Sequence, residues 1–156
     1  MIQNKRQPDG MTGAAGQQQA TGKPELACRL LLSAIFLSTG IAGLMSPAGF
    51  AQGLGQMGVP FPPFCAIVVI GLNIVGPFIL VSDLAGLGWV AAFALSCFTA
   101  LTIPFGHPFW AFDEPRRSEE LRIAIEHVSL IGGLMLAGLA SLSRWRDRRS
   151  NHPAHR

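Results

Sequence analysis

Between Arg29 and Asp83 the chain carries no Asp, Glu, Lys or Arg for 53 consecutive residues, Leu30 to Ser82. A second run, Leu84 to Phe112, adds 29 more. A soluble domain covers its surface with charge, and a chain with none over half its length cannot do so. Across all 156 residues 13% are charged and 49% hydrophobic, against about 25% charged in an ordinary globular domain. A soluble globular protein, a nucleic-acid binder and a disordered chain are excluded. What remains is an integral membrane protein with one compact domain. Its mean hydropathy is +0.38 even with two polar ends included.

Punctuation divides the apolar chain into four spans, predicted at about 29–46, 63–82, 86–104 and 120–143. The first is at the short end for a bilayer, which asks for ~20 residues. Residues 46–62 are uncharged and dense in Gly and Pro, so they read as a loop that hugs the membrane surface. Pro63 suits a first helical turn, and Gly76-Pro77 inside the second span predicts a kink. The turn around Asp83 and Gly86-Leu87-Gly88 is short, so spans two and three must be antiparallel neighbours. Pro104 ends the third span and the basic cluster at Arg144 the fourth. The expected fold is all-α: a four-helix up-down-up-down membrane bundle over residues 28–144. Residues 1–27 are polar, with Gln17-Gln18-Gln19, and read as a disordered cytoplasmic tail. Met11 is a second candidate start. Residues 145–156 read as a basic cytoplasmic tail.

Of twelve Lys and Arg, nine lie before residue 30 or after residue 143 and three (Arg116, Arg117, Arg122) lie between. The positive-inside rule therefore places both termini in the cytoplasm and loops 46–62 and 105–118 outside. Trp110 and Trp145 then fall at opposite water interfaces. A basic start, an apolar stretch and the small residues up to Ala51 also resemble a secretory signal. The chain beyond Ala51 is more membrane segment rather than a soluble domain, so the uncleaved reading is preferred. Cys28, Cys65 and Cys97 form no CxxC pair and read as small core residues. Ala92, Ser96 and Ala100, and likewise Gly133, Ala137 and Ser141, recur every fourth position, as close helix packing requires.

Polar groups at depth are costly and carry most of the information. Asn73 lies mid-span, where an amide bonds a neighbouring helix or touches a ligand. His107 follows span three beside Phe109 and Trp110, company that could hold a quinone-like ring by stacking and a hydrogen bond. Glu126 and His127 lie one and a half turns into span four. Arg122 is four residues before Glu126 and can pair with it. A His-Glu-His cluster of His107, Glu126 and His127 could relay protons or bind a metal, and truncation of Asn73 is expected to break a bond between helices. The spacing matches no metal motif, and no haem, nucleotide or nucleophile signature is present.

In order and spacing, RLLLSAIFLSTGIAGLMSP, GVP, HPFW and IEHVSLIGGLML over about residues 29–143 resemble the DoxX family of small bacterial membrane proteins. The family's His-x-Phe-Trp falls on His107, Phe109 and Trp110, and its Gly-Gly on Gly132 and Gly133. The resemblance implies a four-helix bundle in the bacterial inner membrane with a redox-associated or respiratory accessory role. A quinone-like ligand would then sit near the outer face, in contact with Asn73, His107, Phe109, Trp110, Glu126 and His127. Such a protein is not expected to be an enzyme on its own. Its partners would be the lipid bilayer and a redox protein or a second copy, with no nucleic acid. The chain departs from the family pattern in three places. Gly43 replaces a basic residue, Asn73 replaces a Glu, and Glu126-His127 replace Lys-Asn. Loss of the span-two acid favours an alternative, a non-catalytic scaffold for a partner complex.

Overall fold

A computed structural model describes residues 10–150, and all of its regular structure is helical. Five α-helices follow in order: α1 (Gly10–Met45), α2 (Pro47–Gln56), α3 (Pro62–Ser82), α4 (Gly88–Gly106) and α5 (Arg116–Ser150). Short 3-10 turns at Leu84–Gly86 and Phe109–Ala111 sit in the links flanking α4. Four helices are long and apolar enough to cross a membrane: Gly22–Met45 within α1, α3, Gly88–Ala111 on α4, and α5.

Close approaches at glycines fix the directions. Gly40 of α1 meets Asn73 and Ile74 of α3, and Gly43 meets Ile70, so numbering rises in one helix as it falls in the other. Gly76 of α3 packs on Leu95 of α4, Gly138 of α5 on Ala92 of α4, and Gly133 of α5 on Leu32 of α1. Each neighbouring pair is antiparallel, and the four spans close a ring in the order α1, α3, α4, α5. The buried centre is Phe36, Leu80, Ala91, Ala92, Leu95 and Leu134. Large apolar side chains such as Leu31, Phe64, Ile67, Phe93 and Leu136 lie on the outside, as a lipid-facing surface requires. The chain is a multi-pass membrane protein of the all-α class.

Several sequence expectations change. α1 already runs through residues 10–27, which were expected to be a disordered tail. The helix passes through Pro24, and Glu25 is tied into the bundle. Residues 1–9 and 151–156, the outer parts of both expected tails, lie outside the described residues. Residues 47–56, expected as loop, form α2, with Pro47 in its first turn. At ~1.5 Å per residue α2 is ~15 Å long, too short to cross. It rests Phe50, Ala51 and Leu54, one half-buried side, against the bundle. α4 passes through Pro104 and ends at Gly106. α5 is longer than expected at both ends: its 35 residues reach ~52 Å, against a hydrocarbon core of ~30 Å. Nothing in 144–150 breaks a helix, so the arginines continue it rather than stop it. The predicted stripe on α4 shifts: Ala92 and Ser96 are buried, but Thr99 is the next buried residue and Ala100 is exposed. Cys28 and Cys97 face outward and Cys65 is half-buried, so the cysteines are not core residues. A small apolar side chain costs nothing against lipid.

Candidate functional site

Polar side chains gather at the two ends of the bundle. At the end where α1 and α5 carry the termini, the cluster draws on all four spans. Arg29 of α1 is 3% exposed. Its Nη1 donates to the Leu80 carbonyl of α3 at 2.6 Å, its Nη2 to the Ala137 carbonyl of α5 at 3.2 Å, and its Nε to Glu25 at 3.2 Å. Glu25 also pairs with Arg144 of α5. Arg144 donates from Nη2 and Nε to Asp83 Oδ2 at 3.0 and 3.3 Å. The other Asp83 oxygen accepts from the Ser141 hydroxyl and, at 3.0 Å, from the Gly88 N–H that opens α4. Two cations and two anions thus form one continuous clasp, Arg29–Glu25–Arg144–Asp83. Burial pushes the Asp83 carboxyl up. The Ser141 and Arg144 hydrogen bonds, the Gly88 N–H and the Arg144 charge outweigh it, so it titrates below its ordinary value. Asp83 sits at φ 48°, a left-handed conformation costly for a residue with a side chain, and these same bonds hold it there.

None of these residues was a sequence candidate. Glu25 and Arg29 are spaced i,i+4 and their pairing was legible. Asp83 and Arg144 stand 61 positions apart, and only the closed ring brings them together. The signal that was available is Asp83 itself, the one charge between two long uncharged runs.

Beside the clasp a groove of ~760 Å³ opens between α1 and α5. Its walls include Leu32, Ile35, Leu130 and Leu136, its small floor residues include Gly133 and Ala137, and Glu25 and Arg29 close one end. Leu31, Ile35 and Leu136, all exposed, form its lips, so it opens toward lipid.

The opposite end holds the loops and most of the sequence candidates. His107 caps α4, and its Nδ1 lies 2.8 Å from Glu120 Oε2. His107 and His127 come together with ring centroids 5.0 Å apart. The His127 Nδ1 lies 2.8 Å from the Ile123 carbonyl one turn back. The acid in this cluster is Glu120. Glu126, the expected member, is exposed on α5 and 3.9 Å from Arg122. A register argument finds Glu120: it precedes His127 by seven residues, two helical turns, and so shares its face. Trp110 meets Phe109 edge-on at 5.0 Å and is 58% exposed. The ring paired with His107 is a second imidazole, that of His127, tilted by 54°.

Asn73 is fully buried in α3, but it does not bond across helices. Its Nδ2 donates to the Val69 carbonyl of its own helix at 2.8 Å, and its Oδ1 has no hydrogen-bond partner. The Ser33 hydroxyl of α1 is likewise buried without a partner. Asn73 lies apart from both polar clusters. Among the described residues no group of three or more His, Cys, Asp and Glu could hold a metal ion.

The DoxX family model matches residues 25–108, from Glu25 of the clasp to the residue after His107. The match covers the spans of α1, α3 and α4. Phe109, Trp110, Glu126 and His127 lie beyond it. No curated protein and no solved structure matches the chain.

Proposed function

The chain belongs to the DoxX family, and from that premise we propose that it is a redox-associated accessory protein of the bacterial inner membrane, not an enzyme on its own, that holds a long-tailed quinone. One observation carries this reading: the lipid-facing groove between α1 and α5 has apolar walls and ends on Glu25 and Arg29. Its ~760 Å³ falls within the ~300–1,000 Å³ typical of small-molecule sites. A prenyl tail suits Leu32, Ile35, Leu130 and Leu136. A quinone carbonyl accepts hydrogen bonds and so suits the guanidinium of Arg29, with Glu25 beside it as a carboxylate. This moves the ligand from the outer-face residues to the end that carries the termini, and of the sequence candidates only Glu126 lines it. Binding of a fluorescent or photoreactive quinone analogue to the purified protein tests the reading. Ile35→Trp fills the groove from a half-exposed position and should weaken binding at least tenfold while leaving the bundle folded. Equal binding by wild type and Ile35→Trp would remove the groove as the site.

The second reading, a scaffold for a partner complex, is supported by the clasp. Its four charges satisfy one another, as a purely structural network does. A folded protein that binds no quinone analogue favours it.

A further inference from the structure

We propose that His107 and His127 form a two-imidazole binding site for a first-row divalent metal ion such as Zn²⁺ at the loop end of the bundle. The inference starts from the tautomers. The Ile123 carbonyl can only accept, so the His127 Nδ1 that faces it at 2.8 Å carries the hydrogen. The ionised Glu120 carboxylate likewise fixes the hydrogen on Nδ1 of His107. Each neutral ring is then left with a bare Nε2 lone pair. A metal-binding histidine is prepared in this way, with its second nitrogen committed to a carboxylate or a backbone carbonyl. Here one ring has the carboxylate and the other has the carbonyl.

The spacing fits. Two imidazoles bound through Nε2 to one tetrahedral ion, with metal–nitrogen bonds of ~2.0–2.1 Å, have ring centroids about 5 Å apart. In the protein they are 5.0 Å apart and tilted by 54°. The rings come from two different elements, the end of α4 and the first turns of α5, each held from behind. Glu120 is in turn held by Arg116 Nε at 3.5 Å on its other oxygen. Because among the described residues no third ligand group joins the pair, water or a partner would fill the remaining positions. The affinity is accordingly that of an open site, not of a closed structural one. Imidazole ligands suit zinc, copper and nickel and not magnesium or calcium.

Equilibrium dialysis of untagged full-length protein in detergent against Zn²⁺, with Co²⁺ absorption as a second readout, tests the site. His152 and His155 also occur in the chain, so the measurement is made on a His152→Ala, His155→Ala background. One ion per chain is expected. His107→Ala or His127→Ala should abolish it, and Glu120→Gln should weaken it by about 10–100-fold through loss of the orienting carboxylate. Glu126→Gln, on another face of α5, should leave it unchanged. Because the alanine variants could unfold, Glu120→Gln is decisive if they do. Binding that survives loss of both histidines, or that Glu120→Gln leaves unchanged, overturns the proposal. So does a wild-type protein that takes up no ion at 100-fold excess.

Discussion

Asp83 is the residue on which most of the structure turns. It ends α3, accepts the first N–H of α4 and receives Ser141 and Arg144 from α5. Asp83→Ala removes all of these acceptors and leaves a left-handed residue without its compensation. Unpaired buried donors cost ~1–3 kcal/mol, so a loss of that order is expected in denaturant or thermal unfolding in detergent. The pH dependence has a defined sign. The folded carboxyl titrates below its ordinary value of about 3.8. Its contribution is therefore complete above that value and is lost as pH falls from there through the lower folded value. Acid unfolding of wild type should show this loss, and Asp83→Ala should show less of it. Asn73 makes the opposite case. Its Oδ1 is buried without a partner, and an apolar side chain of similar size removes that cost. Asn73→Leu should be neutral or stabilising by up to ~1–3 kcal/mol, as a melting curve would show. A clear loss of stability would contradict this account.

At the scale of helices, packing depends on where small residues face a neighbour. A Cβ at Gly138 would lie 3.0 Å from Ala92 Cβ, against the backbone of Trp89, whereas Gly132 has nothing within 4 Å. Gly138→Leu should therefore cost ~1–3 kcal/mol through overpacking of α4 on α5. Gly132→Leu should cost nothing measurable, although the two positions look alike in sequence. Comparing their melting temperatures checks both. Gly86 is a different case. Its φ of +73° favours glycine, and a Cβ there would lie 2.5 Å from Trp145. The tight turn between α3 and α4 thereby also seats the indole that marks the end of the bundle. The interface between α1 and α5 is the loosest in the ring, held by Gly133 against Leu32 and by the clasp, and the groove lies along it.

The whole molecule has two chemically different ends. The end with the termini carries the clasp and the arginine-rich extension of α5. The other carries α2 and the histidine pair. With nine of twelve Lys and Arg outside the central segment, the terminal end is expected in the cytoplasm. Periplasmic-active reporter fusions after residues 55 and 112 should be active, and a fusion after residue 85 should be inactive. A silent fusion at 112 would contradict the proposed orientation.

The sequence by itself determined that the chain belongs in a membrane, that it crosses with four helices, and where the apolar part of each helix lies, although α1 and α5 run beyond the expected bounds. The reason is local: uncharged runs of sufficient length have no other stable environment, and backbone groups in lipid must pair within the helix. It also singled out His107 and His127, because ionisable groups near the membrane stand out by residue type alone. It did not disclose the carboxylate that meets His107, the intrahelical bond of Asn73, or the clasp. Those were decided by tertiary structure. Which acid meets a histidine, or which arginine meets Asp83, depends on helix rotation and on the order of helices around the ring. Partners 51 to 119 residues apart become neighbours only when that ring closes.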